Sequence, residues 1–197
     1  MEDELVQREK KIFTILDQEI EDGANLAAAA RKTIEFLLLE KKGYTPEEVE
    51  KQVVFSVTLG SETVHSSVDF LVTLDGTKAM AIKCSAGSLS SRERQAVAAA
   101  RLLGVSPVLI AVVADPVNAE VLETATGKVI GEGFGAIPVK DELRRMLSRM
   151  KIQPLTAERI EKEKRILLAF DAIQCSLPQG ADGHGIQLGE ACGKKKK

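Results

Sequence analysis

An uninterrupted apolar run from Val108 to Ala114 constrains the fold of this chain more than any other segment. Such a run, ended here by Asp115-Pro116, is typical of a strand that is buried on both faces. An alanine-rich helix is predicted directly before it, over residues 88–103, with Gly104 as its stop. A buried strand that is reached through a helix indicates an α/β fold, in which helices flank a mixed central sheet.

The segments on either side supply the other elements of this fold. Alternating apolar residues predict strands over 53–59, 68–74 and 79–84, and Asp75-Gly76 predicts a tight turn that makes the last two a hairpin. A second hairpin is predicted around Ala125-Thr126-Gly127. Helical periodicity predicts the remaining elements, which are helices over 3–21, 26–42, 139–150 and 156–170.

The charge distribution argues against a strongly basic body that binds nucleic acid. The 197 residues hold 27 basic and 29 acidic side chains, a net charge of −2, although Lys194 to Lys197 supply four of the positive charges. Without those lysines the net charge is −6. Residues 139–170 alone are basic, with nine positive and five negative side chains, so a local basic surface is available for phosphate contacts.

Simple counts exclude several other classes of protein. No apolar run reaches the roughly 18 residues of a membrane span, and the acidic start Met-Glu-Asp-Glu-Leu resembles neither a secretory signal nor a transit peptide. Three cysteines without paired spacing fit a reducing compartment. We therefore expect a cytoplasmic protein with no membrane partner and no zinc site.

One pair of residues in the first predicted hairpin has the ingredients of a catalytic site. If strands 68–74 and 79–84 pair through their turn, Asp69 and Lys83 approach each other on one side of the sheet. A carboxylate that holds Mg²⁺ and a lysine that orients the attacking water are what phosphodiester cleavage requires. Spacing alone favours the simpler interpretation, a solvent-facing pair across a hairpin.

Around that pair the sequence resembles the core of PD-(D/E)XK nucleases. The matching stretches are Ser67 to Val72, Asp75-Gly76 and Ala79 to Cys84. More narrowly, residues 27–132 resemble the N-terminal nuclease domain of type I restriction enzyme R subunits and its stand-alone relatives. Further matches to that domain are Arg31, Lys42-Gly43-Tyr44, Gln95 and Thr126-Gly127-Lys128.

The resemblance implies a three-layer restriction-endonuclease-like fold, DNA as the target and Mg²⁺ as the cofactor. It also implies three catalytic residues. Asp69 would hold the metal, Lys83 would orient the water, and Gln95 would hold the site together or help to place the lysine.

Two departures from the family pattern leave the activity open. The family carries an acid two residues before the lysine, where this chain has Ala81, and the glutamate of the family's first helix is replaced by alanines at 27–30. One carboxylate rarely holds Mg²⁺ firmly, so Glu35 and Glu93 are candidates for a displaced acid. The leading hypothesis is a DNA-related nuclease scaffold with a degenerate site. The alternatives are a non-enzymatic binding or assembly module and, third, an accidental match in a domain that binds a small molecule.

The resemblance and the composition together divide the chain into four parts. These are an N-terminal helix (1–23), the restriction-endonuclease-like domain (24–137), basic C-terminal helices (138–172) and a disordered tail (173–197). The apolar stripe of the last helix predicts packing on the body or on a second subunit, which would give a homodimer through the terminal helices. Its members are Ile160, Ile166, Leu167 and Phe170.

A smaller basic signal lies on the helix that follows the candidate site. Arg94 and Arg101 are seven residues apart and share a face of that helix, and Arg92 lies nearby. Such a row can contact a nucleic-acid backbone. Because Glu93 interrupts it, a solvated helix face is the favoured interpretation.

Overall fold

The computed structural model describes residues 25–149 and 153–175. The helix predicted over 3–21 and nearly all of the tail lie outside these residues. The strands are β1 (Val49–Leu59), β2 (Glu62–Leu74), β3 (Thr77–Cys84), β4 (Ile110–Ala114), β5 (Ala119–Glu123) and β6 (Val129–Glu132). The helices are α1 (residues 25–36, continued by a π-helical turn over Leu37–Lys41), α2 (Glu93–Leu102), α3 (Lys140–Arg149) and α4 (Ala157–Cys175).

The six strands form one sheet in which spatial order follows chain order. Neighbouring strands are antiparallel except β3 and β4, which are parallel and joined through α2. Every residue of β4 is buried, because a strand in the middle of a covered sheet has no solvent face. The prediction of an α/β fold with a mixed sheet and flanking helices is therefore confirmed.

Two apolar clusters, one on each face of the sheet, give the molecule three layers. On one face Ile34 and Leu38 of α1 pack with Leu143 of α3. On the other face the alanine-rich side of α2 packs with Leu167 of α4. Alanines at 96 and 98–100 let the α2 backbone approach the sheet closely, and this closeness brings the first turn of α2 to the end of β3.

The alternation of side chains between the two faces of the sheet is interrupted in β1 at Gln52 and in β2 at Asp69. Val49 packs in the α1 cluster whereas Val53 packs against the α2 cluster, although residues four apart on a regular strand share a face. In β2, likewise, Val68 and Leu71 pack in the same cluster. Gln52 has a positive φ of 51°, which breaks the regular pleat at this point.

The predicted elements differ from the observed ones mainly at their ends. The strand predicted over 53–59 begins earlier, at Val49, and the strand predicted over 68–74 begins earlier, at Glu62. A turn at residues 60–61 joins the two strands as a further hairpin. Polar residues between Glu62 and Ser67 hide the periodicity of this part of β2. The hairpin predicted from Asp75-Gly76 is confirmed, since both residues have the positive φ of a tight turn between strands.

Tyr44 fastens the end of α1 to the segment that leads into α3. Its side chain is buried, and its hydroxyl donates a hydrogen bond to the Pro138 carbonyl at 2.9 Å. Burial, followed by the negative charges of Glu142 and Glu48, raises the pKa of Tyr44 above its ordinary value of 10. The folded protein therefore holds this phenol in its neutral form.

We predict that Tyr44 does not ionise in the folded protein as the pH passes through 10. Because the chain has one tyrosine and no tryptophan, absorbance at 295 nm reports this group alone. The urea-unfolded chain should titrate near pH 10. Since the folded pKa is raised, stability should fall as the pH rises above the unfolded pKa, and Tyr44→Phe should remove that loss. A folded titration that coincides with the unfolded one would contradict the placement of Tyr44.

Candidate functional site

The three residues implied as catalytic lie around the end of β3. Asp69 lies on β2 where the two first strands change faces, Lys83 is the penultimate residue of β3, and Gln95 lies in the first turn of α2. The sheet brings the first two together, because Phe70 pairs with Ile82 in the antiparallel register. The crossover helix then places Gln95 above the same end of the sheet.

The carboxylate of Asp69 is held on both of its oxygens. Oδ2 accepts a hydrogen bond from the backbone N–H of Cys84 at 2.7 Å, and Oδ1 accepts one from Nη1 of Arg31 at 3.3 Å. Arg31 comes from α1, so this ion pair joins the first helix to the sheet. Asp69 consequently acts as a structural acceptor that fixes the end of β3.

Lys83 is mostly covered, and its ammonium group donates to the Ser67 carbonyl at 2.8 Å. Burial lowers the pKa of Lys83 below its ordinary value, and Arg92 lowers it further, while Asp69 and Asp171 act in the opposite direction. No ion pair joins Asp69 to Lys83 within the described part of the chain, so the two approach each other without direct contact. A lysine with a lowered pKa beside two carboxylates is a common feature of functional sites.

Asp171 of α4 is a member of the site that the sequence did not reveal. It is 6% exposed, and its Oδ1 accepts a hydrogen bond from Nε2 of Gln95 at 3.0 Å. Its Oδ2 is buried and has no hydrogen-bond partner among the residues that the structure describes. The side-chain oxygen Oε1 of Gln95 accepts a hydrogen bond from Nη1 of Arg92 at 3.4 Å. Asp171 lies 76 residues from Gln95, beyond the predicted end of the last helix, so no local pattern connects it to the site.

Neither of the acids proposed as substitutes contacts the three predicted residues. Glu35 forms an ion pair with Lys51 of β1. Glu93 lies beside Glu120 of β5, where burial and this second carboxylate raise the pKa of Glu120. Among the described residues, Asp171 is the acid other than Asp69 whose charge acts on Lys83, and it occupies neither of the expected positions.

Ala81, at the position of the missing acid, is sealed in the core. It is 2% exposed and packs in the cluster that α2 covers. No other oxygen-bearing side chain replaces it on β3 between Thr77 and Cys84.

The charges around the site do not fit a divalent cation. The cationic groups are Arg31, Lys83 and Arg92, against the two carboxylates of Asp69 and Asp171. Whether Lys83 is protonated or neutral, these five groups carry no net negative charge. Within residues 25–149 and 153–171, no group of three or more Asp, Glu, His or Cys side chains is arranged to hold a metal ion. A Mg²⁺ ion needs oxygen ligands of net negative charge, so the residues present do not suit it.

Comparisons with known proteins give one distant structural likeness. No protein-family model matches the chain, and no curated protein matches it. A solved structure, assigned as a fragment of the HsdR subunit of a type I restriction enzyme from Vibrio vulnificus YJ016, is 18% identical with a TM-score of 0.47. The likeness covers 60% of this chain and 24% of the other. That likeness is too low to support an activity for this chain.

The helices in the described ranges also bear on the membrane expectation. None of them combines the length and the apolar character that crossing a bilayer requires.

We predict that Asp69 contributes more to stability than its ion pair with Arg31 suggests. Asp69→Ala leaves the part-buried N–H of Cys84 without an acceptor, which typically costs about 1–3 kcal/mol. Arg31→Ala removes a half-exposed ion pair and should cost about 0–1 kcal/mol. Asp69→Asn, which keeps an amide oxygen for the N–H, should lie between them. Urea unfolding measures all three, and equal losses for Asp69→Ala and Arg31→Ala would contradict the assigned role.

Proposed function

We propose that this chain is a cytoplasmic, DNA-binding relative of the restriction-endonuclease-like nucleases, and that it does not cleave DNA. The residues that the resemblance implies as catalytic, Asp69, Lys83 and Gln95, all lie around the end of β3, which supports a shared scaffold. Their contacts favour structural roles over hydrolysis. Of the hypotheses raised from the sequence, a binding module on a degenerate nuclease scaffold fits these contacts best.

The observation that carries this proposal is the ion pair between Arg31 and Asp69. In the family that the sequence resembles, the first helix usually supplies a glutamate, whereas here alanines occupy positions 27–30. Arg31, itself one of the matches, then brings a guanidinium to Asp69 with no acid from the same helix beside it. A positive charge 3.3 Å from Oδ1 opposes a second cation at that oxygen. Together with Ala81, it leaves the site without the ligand set on which metal-assisted cleavage depends.

The same charges favour contact with a phosphodiester backbone. Arg31, Lys83 and Arg92 surround the end of β3, and cations placed this way stabilise phosphate oxygens without a metal. The acidic remainder of the chain limits such binding to local surfaces and makes it sensitive to salt. We therefore propose weak, salt-dependent binding, with a homodimer through the terminal helices as the form in which two such surfaces would act together.

One observation favours hydrolysis as a second candidate function. The Oδ2 atom of Asp171 is buried and unpartnered next to Gln95, so a carboxylate other than the expected ones lies close to Lys83. If the protein did cleave DNA, Asp171 would be the acid that compensates for Ala81. This candidate requires that Asp171→Asn abolish cleavage, which the experiment below can detect.

We predict that the purified protein shifts duplex DNA at low salt and does not nick supercoiled plasmid with Mg²⁺ or Mn²⁺. Lys83→Ala should weaken the shift, because it removes a cation from the candidate surface, while Asp69→Ala should not strengthen nicking. Gel electrophoresis of plasmid and labelled duplex measures both properties.

Matched variants make the experiment decisive. Metal-dependent nicking that is lost in Asp69→Ala and in Lys83→Ala would overturn the non-cleaving proposal, and its loss in Asp171→Asn as well would establish the second candidate. Absence of both nicking and a DNA shift would overturn any DNA-related function. Circular dichroism of each variant checks that the fold is retained.

A further inference from the structure

A half-open cleft of about 190 Å³ lies between α2, the turn of the β5–β6 hairpin and α4. The turn contributes Thr126 and Gly127, which belong to a motif that the candidate site does not use. None of the site residues Asp69, Lys83, Gln95 and Asp171 lines this cleft, so it is a separate feature of the same layer. Its charged lining residues are Glu93, Arg94, Arg101, Arg159, Lys162 and Glu163.

The wall of the cleft is a fixed network around Arg101. This side chain is 5% exposed, and it donates to the carbonyls of Thr124 and Ala125 at 2.8 Å and 3.0 Å. Its third contact is Oε1 of Glu163 at 2.8 Å, an oxygen that also accepts a hydrogen bond from Nε of Arg159. One buried carboxylate therefore serves two guanidinium groups, which leaves this part of the lining positively charged.

Two further cations line the cleft. Arg94 and Lys162 are exposed, and among the residues that the structure describes neither takes part in an ion pair. The four cations and two acids of the lining give a formal charge of +2 within a chain whose net charge is −2. Arginine side chains in such a concave, positive surface suit anions with several oxygens, above all phosphate.

The lining also distinguishes a backbone phosphate from a free nucleotide. Its apolar members are Val97 and Ile166, and within the described ranges no aromatic side chain lines it on which a base could stack. Gly127, with a φ of +74°, lies beside the α2 side chains, where an added Cβ would make ordinary van der Waals contact with Nη2 of Arg101 at 3.7 Å. The turn therefore forms one side of the cleft and offers a base no platform.

We propose that this cleft binds a phosphate group of the DNA backbone through Arg94, Arg159 and Lys162. The choice of DNA as the source of the phosphate rests on the proposed function, whereas the affinity of the cleft for phosphate does not. The cleft would add a contact beyond those of the candidate site, on the layer formed by α2 and α4. Such a contact positions a duplex and carries no sequence information.

Fluorescence anisotropy with a labelled duplex tests the DNA contact in the full chain. Arg94→Glu and Lys162→Glu should each weaken binding about tenfold and lower the slope of log affinity against log salt by about 1. Lys41→Glu, an exposed lysine at the end of the π-helical turn that continues α1, lies outside the cleft and outside the basic helices, so it is the matched control and should change affinity less than about twofold. Unchanged binding in both cleft variants, or an equal loss in the control, would overturn the proposal.

A second experiment tests phosphate binding by the cleft independently of the proposed function. Titration of the ¹⁵N-labelled protein with inorganic phosphate should shift the Gly127 amide and the Arg94 side-chain resonances, and Arg94→Glu should abolish the shift. Adenosine triphosphate should act no more strongly than inorganic triphosphate, an anion of comparable charge without a base, since the described lining offers a base no aromatic side chain. Phosphate shifts without any binding of duplex would overturn DNA as the source and the proposed function with it. Duplex binding without shifts at Gly127 would overturn the proposal that the cleft binds phosphate and would leave the proposed function in place.

Discussion

Parallel pairing between β3 and β4 is the interaction on which the rest of the structure depends. Two parallel neighbours cannot be joined by a tight turn, so the chain must cross one face of the sheet, and α2 is that crossing. The crossing buries both strands and sets the first turn of α2 over the end of β3. Gln95, Arg92 and the buried Arg101 all take their places from this one connection.

The second constraint is electrostatic, because the charges of the side chains around the end of β3 determine which ions can bind there. A carboxylate at the position of Ala81 and a glutamate from α1 would make this end of the sheet negative enough for Mg²⁺. The chain has instead an alanine in the core and an arginine paired with Asp69. The same backbone geometry can therefore support opposite chemistry, because a site of this kind is defined by the charges of a few side chains.

The fold was predictable where the cause is local. Short sequence patterns predicted three elements: the buried strand that begins near Val108, the turn at Asp75-Gly76 and the alanine-rich helix α2. The order of these elements along the chain predicted the mixed sheet. The exchange of faces at Gln52 was not predictable, because a positive φ at a glutamine has no signature in the sequence. Asp171 was missed for a different reason, since its relation to Gln95 arises from the packing of α4 on α2 across 76 residues.

The most direct test of this account is whether Asp69 binds a metal ion. Electron paramagnetic resonance of Mn²⁺, titrated with the full chain and with Asp69→Ala, measures the free ion in each mixture. The account predicts the same free Mn²⁺ signal for both proteins, because the charge of Arg31 already satisfies Asp69. A loss of free signal equivalent to one Mn²⁺ per chain, seen in the natural sequence and absent from Asp69→Ala, would contradict it.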